Sequence, residues 1–164
     1  MELYLIRHGI ATERQPNQDD HQRPLTVEGQ EKTAKMAQKL EAIGLKFNLI
    51  LTSPLVRAQQ TAKILKKVGL SEKIVEFDAL KPSGALETWL NWWSKSEYNN
   101  KEDRLALVGH QPDLGDWAEI LVWGSSQEKL IVKKAGVIGV RLPETTKAIG
   151  NSELFLLTSP KWLI

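Results

Sequence analysis

The chain contains no cysteine. That excludes a disulfide framework, a thiolate nucleophile and any cysteine-based zinc or iron–sulfur centre. It also fits the reducing cytoplasm, which is where we expect the protein to act. An excess of charge of one sign is missing as well. Its 22 Lys and Arg are set against 20 Asp and Glu, for a net charge of +2. That balance gives no basis for a nucleic-acid partner or a membrane-surface partner. Lys66-Lys67 and Lys133-Lys134 are pairs, too short to be basic runs, and are read as solvated. No apolar stretch is long enough to span a bilayer, and the first residues lack the basic-then-apolar plan of a signal peptide. There is no internal repeat and no low-complexity tract.

What is present is an ordinary soluble composition. At 164 residues, 41% hydrophobic and 26% charged, the chain is expected to form one domain, 1–164, with a sizeable core. A monomer is expected. The first strand pattern, Glu2 to Ile6, is apolar at nearly every position. That suits a central parallel strand covered on both faces. It ends on Arg7-His8-Gly9, a cation, an imidazole and a glycine, which suits the binding of something anionic there. A polar loop runs from Ala11 to Pro24, and loops of that length in a compact domain usually carry function.

Thr26 is the expected N-cap of a helix from about Val27 to Ile43, with Gly44 as its stop and Ala34, Ala37, Leu40 and Ile43 as its buried stripe. Asn48 to Thr52 reads as a second strand. Ser53-Pro54 follows as a cap and first helical residue, opening a helix from Leu55 to Val68 with Gly69 as stop. Arg57 then lies in the first turn, where unpaired N–H groups and the helix dipole already favour an anion. Ile74 to Phe77 reads as a third, shorter strand. Ala85 to Ser94 reads as an amphipathic helix with Trp89 and Trp93 in the core and Trp92 turned toward the surface. Leu105 to Val108 is another apolar strand, ending in Gly109-His110-Gln111-Pro112, and Asp113 to Trp123 reads as a helix. Three strand-like runs close the chain, at Lys129 to Val132, Gly136 to Leu142 and Glu153 to Thr158, the last two as a hairpin. The alternation predicts an α/β fold, a mostly parallel central sheet with helices on both faces.

Arg7 and His8 follow one apolar strand, Ser53 and Arg57 a second, and His110 a third. Ligands of open α/β sheets bind outside the carboxyl ends of the strands. If these three strands are parallel neighbours, two histidines and two arginines share one pocket. Such a pocket suits phosphoryl transfer. Arginines grip phosphate oxygens with a fixed fork. A neutral imidazole can attack phosphorus in line, and nearby arginines disfavour its protonation. A protonated second histidine could stabilise the transferring group. No metal or other cofactor is expected, because the arginines already neutralise the phosphate. His21, alone on the loop, reads as ordinary surface.

These residues resemble the histidine phosphatase superfamily, the phosphoglycerate mutase-like fold. The resemblance rests on Leu5-Ile6-Arg7-His8-Gly9, on Ser53-Pro54-Leu55-Val56-Arg57 with Thr61-Ala62, and on Gly109-His110. Within it the chain is most similar to the SixA-type phosphohistidine phosphatases, through its small size, Ala11, Arg23-Pro24-Leu25-Thr26 with Gly29, and Gly109-His110-Gln111-Pro112. The resemblance implies a three-layer α/β/α sandwich. It implies His8 as the phosphorylated nucleophile, Arg7, Arg57 and His110 completing the phosphate pocket, and Arg23 as an anion contact at the rim. One departure stands out. Mutases and many small-molecule phosphatases of the superfamily carry an acidic general acid after the middle strand, and Phe77 to Gly84 holds no recognisable counterpart. Asp78 and Glu87 are the stand-ins for it. A labile P–N bond tolerates a weak acid better than an alkyl ester does. The short span from Arg57 to His110 leaves little chain for a cap domain. The expected function is therefore a phosphatase acting on phosphohistidine in a histidine phosphotransfer protein. The alternative is a phosphomonoesterase acting on a small phosphate ester. A non-catalytic phosphoprotein-binding module is a third reading, against which the intact His8 argues.

Overall fold

The apolar runs become strands whose residues alternate between two buried faces. In the computed structural model, which describes residues 1–164, β1 (Glu2–Arg7) sends Leu3 and Leu5 to one face and Tyr4 and Ile6 to the other. The strand β4 (Arg104–Gly109) divides Leu105 and Leu107 from Ala106 and Val108 in the same way. Burial on both sides is what makes these sequences nearly continuous in apolar residues. With β2 (Leu49–Thr52), β3 (Ile74–Glu76), β5 (Val137–Arg141) and β6 (Glu153–Thr158) they form one six-stranded sheet, in the order β3-β2-β4-β1-β5-β6. The first four strands are mutually parallel, and β5 is antiparallel to both β1 and β6.

Helices cover both faces. The helices α1 (Val27–Ala42) and α2 (Val56–Val68) bury Met36, Ala37, Leu40, Ala58, Ala62 and Leu65 against one. Across the sheet, α3 (Leu86–Lys95) and α4 (Asp113–Trp123) bury Leu86, Trp89, Trp93, Leu114, Trp117 and Leu121. A short α5 (Pro160–Leu163) ends the chain and packs on α1. The fold is thus the expected α/β sandwich with a mixed, mostly parallel sheet. Thr26 caps α1 by accepting a hydrogen bond from Gly29 N–H at 2.9 Å, and Gly69 ends α2 in the left-handed region at φ 99°.

Four local expectations change. Ile43 is 77% exposed and Ala34 only half-buried, because the buried face of α1 passes instead through Gly29, Thr33 and Met36. Ser53 does not cap α2, which starts at Val56 after Leu55. Trp92 is half-buried, its ring 5.7 Å from Phe77 and 6.3 Å from Tyr98, so it fills the edge of the core rather than facing outward. Lys129 to Val132 forms no strand. Its N–H groups are taken by side chains: Lys129 and Leu130 donate to the Glu119 carboxylate, both at 2.6 Å, and Val132 donates to Gln111 Oε1 at 3.3 Å.

Candidate active site

Register alone brings three strand ends together. Arg7 lies opposite Gly109 and Thr52 opposite Val108, so β2, β4 and β1 finish at one level. His8 N–H donates to the Gly109 carbonyl at 3.1 Å, and Ser53 N–H donates to the Val108 carbonyl at 2.9 Å. The residues that follow these strands, His8, Ser53 and His110, therefore enter the same space. Glycine at position 9 is required by what lies behind it. A Cβ there would come within 2.4 Å of Thr33 Oγ1 on α1. Gly9 N–H instead donates to Thr61 Oγ1 at 3.0 Å, and that hydroxyl donates onward to the Arg57 carbonyl at 2.8 Å. The turn after His8 is thereby tied to the first turn of α2.

His8 is buried, and its tautomer is set by its own turn. The Gly9 carbonyl lies 2.7 Å from Nδ1 and can only accept, so Nδ1 carries the proton. Nε2 keeps its lone pair and accepts from Arg57 Nε–H at 3.3 Å. Burial first, and then the Lys134 cation, push the imidazole's pKa down to about 2. His110 stands 5.2 Å away, ring centre to ring centre. Its Nε2 is 2.9 Å from Ser53 Oγ, while its Nδ1 is buried with no protein partner. Burial and the Arg57 cation lower its pKa to about 3. Both rings are neutral at physiological pH. A neutral His110 that accepts the Ser53 hydroxyl proton at Nε2 presents Nδ1–H as a free donor.

Two of the arginines are held by Asp20, an acid outside the residues singled out from the sequence. Asp20 sits in a 3₁₀ turn, Asp20–Gln22. Its carboxylate accepts from Arg57 Nη2 at 3.0 Å and from Arg23 Nε at 3.1 Å, and its carbonyl accepts from Arg57 Nη1 at 2.8 Å. Arg23 Nη1 also donates to the Thr12 carbonyl at 2.9 Å. Arg7 Nη1 donates to the Val132 carbonyl at 3.1 Å, and its Nε is buried with no protein partner. These contacts enclose a cavity of about 220 Å³ lined by Arg7, His8, Arg23, Arg57, His110, Lys134 and Asp113, with Pro82, Ser83, Gln111 and Pro112 at the remaining walls. No hydrophobic residue lines it. Burial, with Arg7, Arg23 and Arg57 nearby, lowers the Lys134 ammonium to about 8. Burial raises the pKa of the Asp113 carboxyl, whose Oδ2 accepts from Ser83 N–H at 2.9 Å. Cations, one free ring donor at His110, a free guanidinium donor at Arg7 and one lone-pair nitrogen at His8 around a small polar space suit a phosphoryl group.

The profile of the histidine phosphatase superfamily (branch 1) matches residues 3–106. An uncharacterized protein of Picosynechococcus sp. is 48% identical over 165 residues, covering 100% of this chain and 99% of that one. This chain belongs to the histidine phosphatase superfamily. Among solved structures, the chain superposes on the protein histidine phosphatase SixA complexed with tungstate, with a TM-score of 0.85 at 23% identity over 100% of both chains. It also superposes on the alpha-ribazole phosphatase of Shigella flexneri, with a TM-score of 0.74 at 19% identity over 98% of this chain and 97% of that one. At those identities the likeness is one of fold.

Of the residues singled out in the sequence, the fold brings Arg7, His8, Arg23, Arg57 and His110 to one cavity. It does not bring Asp78 or Glu87 there. Asp78 is on the surface, 2.7 Å from Lys81 Nζ, and Glu87 lies on the exposed side of α3. His21 is at the surface as expected, 3.4 Å from Asp19. From the sequence, Lys134 reads as solvated together with Lys133. Lys133 is exposed, but Lys134 is turned into the site. Asp113 and Asp20 were also missed. The one available signal was position: Asp113 follows the same strand end as His110, three residues on.

Proposed function

We propose that this protein is a phosphohistidine phosphatase that hydrolyses phosphate from a histidine of a phosphotransfer protein, as a monomeric cytoplasmic enzyme. His8 Nε2 attacks phosphorus in line, the bond from phosphorus to the substrate imidazole breaks, and that imidazole leaves with a proton from solvent. Water then attacks phospho-His8, releasing inorganic phosphate and restoring the neutral ring. Arg7 Nε and His110 Nδ1 are buried donors with no protein partner, suited to the phosphoryl oxygens. Arg57 and Arg23, held by Asp20, supply fixed positive charge. The Gly9 carbonyl keeps the His8 proton on Nδ1 throughout. A lining this cationic is unsuited to a metal ion, and the guanidinium groups take over charge neutralisation.

The observation that carries the phosphohistidine reading is the size and lining of the cavity. About 220 Å³ without a hydrophobic wall accommodates a phosphoryl group. Pockets that enclose a small molecule are usually larger and mostly apolar. The substrate's body therefore stays outside, as it does for a side chain displayed on a protein. Residues 77–103 support the same reading. They fold into a 3₁₀ turn and α3, which packs against the sheet, and only the turn at Pro82 and Ser83 borders the site.

One observation favours a second reading, a small-molecule phosphomonoesterase. Asp113 lines the cavity, and burial raises its pKa, as a general acid for an alkoxide leaving group requires. Phosphate release from a phosphohistidine protein, compared with release from sugar and glycerate phosphates, separates the two. The first reading predicts kcat/KM far higher for the phosphoprotein. Equal or better turnover of the small esters contradicts it.

A further inference from the structure

Resting on the phosphatase reading above, we propose that Lys134 binds the phosphoryl group as a fourth cation of the site, alongside Arg7, Arg23 and Arg57. Lys134 is placed by backbone contacts to the two residues at the end of β1. Ala135 N–H donates to the His8 carbonyl at 3.2 Å, and Arg7 N–H donates to the Gly136 carbonyl at 3.1 Å. Arg7 Nη1 holds the Val132 carbonyl from the other side at 3.1 Å. Gly136 N–H closes the turn onto the Lys133 carbonyl at 2.7 Å, and Ala135 takes the left-handed region at φ 55°. Lys134 thus cannot shift without disturbing the backbone of His8. Its neighbour Lys133 points away and is exposed.

Its surroundings fit an anion-binding role and no internal one. Arg57 and Arg23 each pair with Asp20, and Arg7 donates to a carbonyl. Lys134 forms no ion pair or hydrogen bond within the protein; the nine ion pairs of the structure all lie elsewhere. The charged and titratable groups that line the cavity with it are Arg7 at the end of β1 and His8 just after it, Arg23 from the first loop, Arg57 from α2, His110 just after β4 and Asp113 from α4. A half-buried ammonium among three guanidinium groups is unfavourable in the free protein, and its proton is correspondingly loosened, with a pKa of about 8. A bound phosphoryl dianion reverses that sign. The same cation helps to keep His8 unprotonated, second only to burial. A site that destabilises the free fold in order to hold a ligand is a recognised trade between stability and function.

Calorimetric titration of the full chain with inorganic phosphate tests this, on the unsubstituted protein and on Lys134→Met, Lys134→Arg and Lys133→Met. Lys134→Met should weaken phosphate binding by about tenfold to a hundredfold, the range for losing a hydrogen bond to a charged group. Lys134→Arg should restore most of it, and Lys133→Met should change nothing. The thermal midpoint of Lys134→Met should stay level or rise, the reverse of a lysine kept for structure. Phosphate affinity of the unsubstituted protein should fall above about pH 8, and that fall should disappear in Lys134→Arg. Unchanged affinity in Lys134→Met, an equal loss in Lys133→Met, or a lowered midpoint with affinity intact overturns the role of Lys134 alone. No phosphate binding by the unsubstituted protein overturns the phosphatase reading with it.

Discussion

At the scale of single residues, the site depends on keeping imidazoles neutral in a cationic, buried setting. His8 has a pKa of about 2 and His110 about 3, while the same rings in the unfolded chain titrate near 6.5. Below pH 6.5 the unfolded chain therefore takes up protons that the folded chain refuses. Stability is full above that pH and falls as the pH drops toward the folded values, by up to about 1.4 kcal/mol per pH unit for each ring. Thermal melts between pH 7.5 and 5 should show a falling midpoint, with a shallower slope in His110→Gln. A flat midpoint over that range would contradict the assignment of neutral rings. Arg7, His8, Arg57 and His110 were legible in the sequence because each sits directly after an apolar strand or in the first turn beyond one. Lys134 was not. Nothing in Lys133-Lys134 says which of the two side chains enters the site, since a turn built from distant contacts decides it.

At the scale of elements, most boundaries follow from local chemistry, and the failures share a cause. Thr26, Gly69 and the apolar runs act on the chain next to them, so α1, α2, β1 and β4 were readable. Lys129 to Val132 has strand-like residues but no strand partner, because Glu119 on α4 takes the Lys129 and Leu130 N–H groups and Gln111 takes that of Val132. That carboxylate is fully buried and accepts from the Gln127, Lys129 and Leu130 N–H groups. These bonds hold its pKa low despite burial. Ser53 fails as a cap for a similar reason: its hydroxyl lies beside His110, a residue far along the chain. Glu119→Ala should leave three N–H groups without their acceptor and cost about 3 kcal/mol or more of stability. The same loop carries Lys134, so kcat/KM should fall as well. Glu119→Gln, which retains one acceptor oxygen, should lose less of both. Urea denaturation beside steady-state kinetics measures the pair. A variant destabilised with kcat/KM unchanged would show that the loop does not position the site.

At the scale of the whole molecule, the sheet order explains why one site exists at all. The strands β2, β4 and β1 are adjacent and parallel although they are distant in sequence, so residues 7, 8, 53, 57 and 110 converge where no local motif would place them. The convergence could be anticipated from the run of strand ends, but the adjacency itself came only with the fold. Asp113 was hidden for the same reason: Asp78 and Glu87 follow the edge strand β3, three positions from β1, while Asp113 follows the central β4 and lines the cavity. The central claim is that His8 carries the phosphate covalently. Rapid acid-free quenching during turnover of a phosphohistidine protein, followed by peptide mapping, should find a phosphoryl group on His8. That adduct should be labile in acid and stable in alkali, and it should be absent, with turnover, from His8→Ala. Turnover surviving in His8→Ala, or a phosphoryl group trapped on another residue, would contradict it.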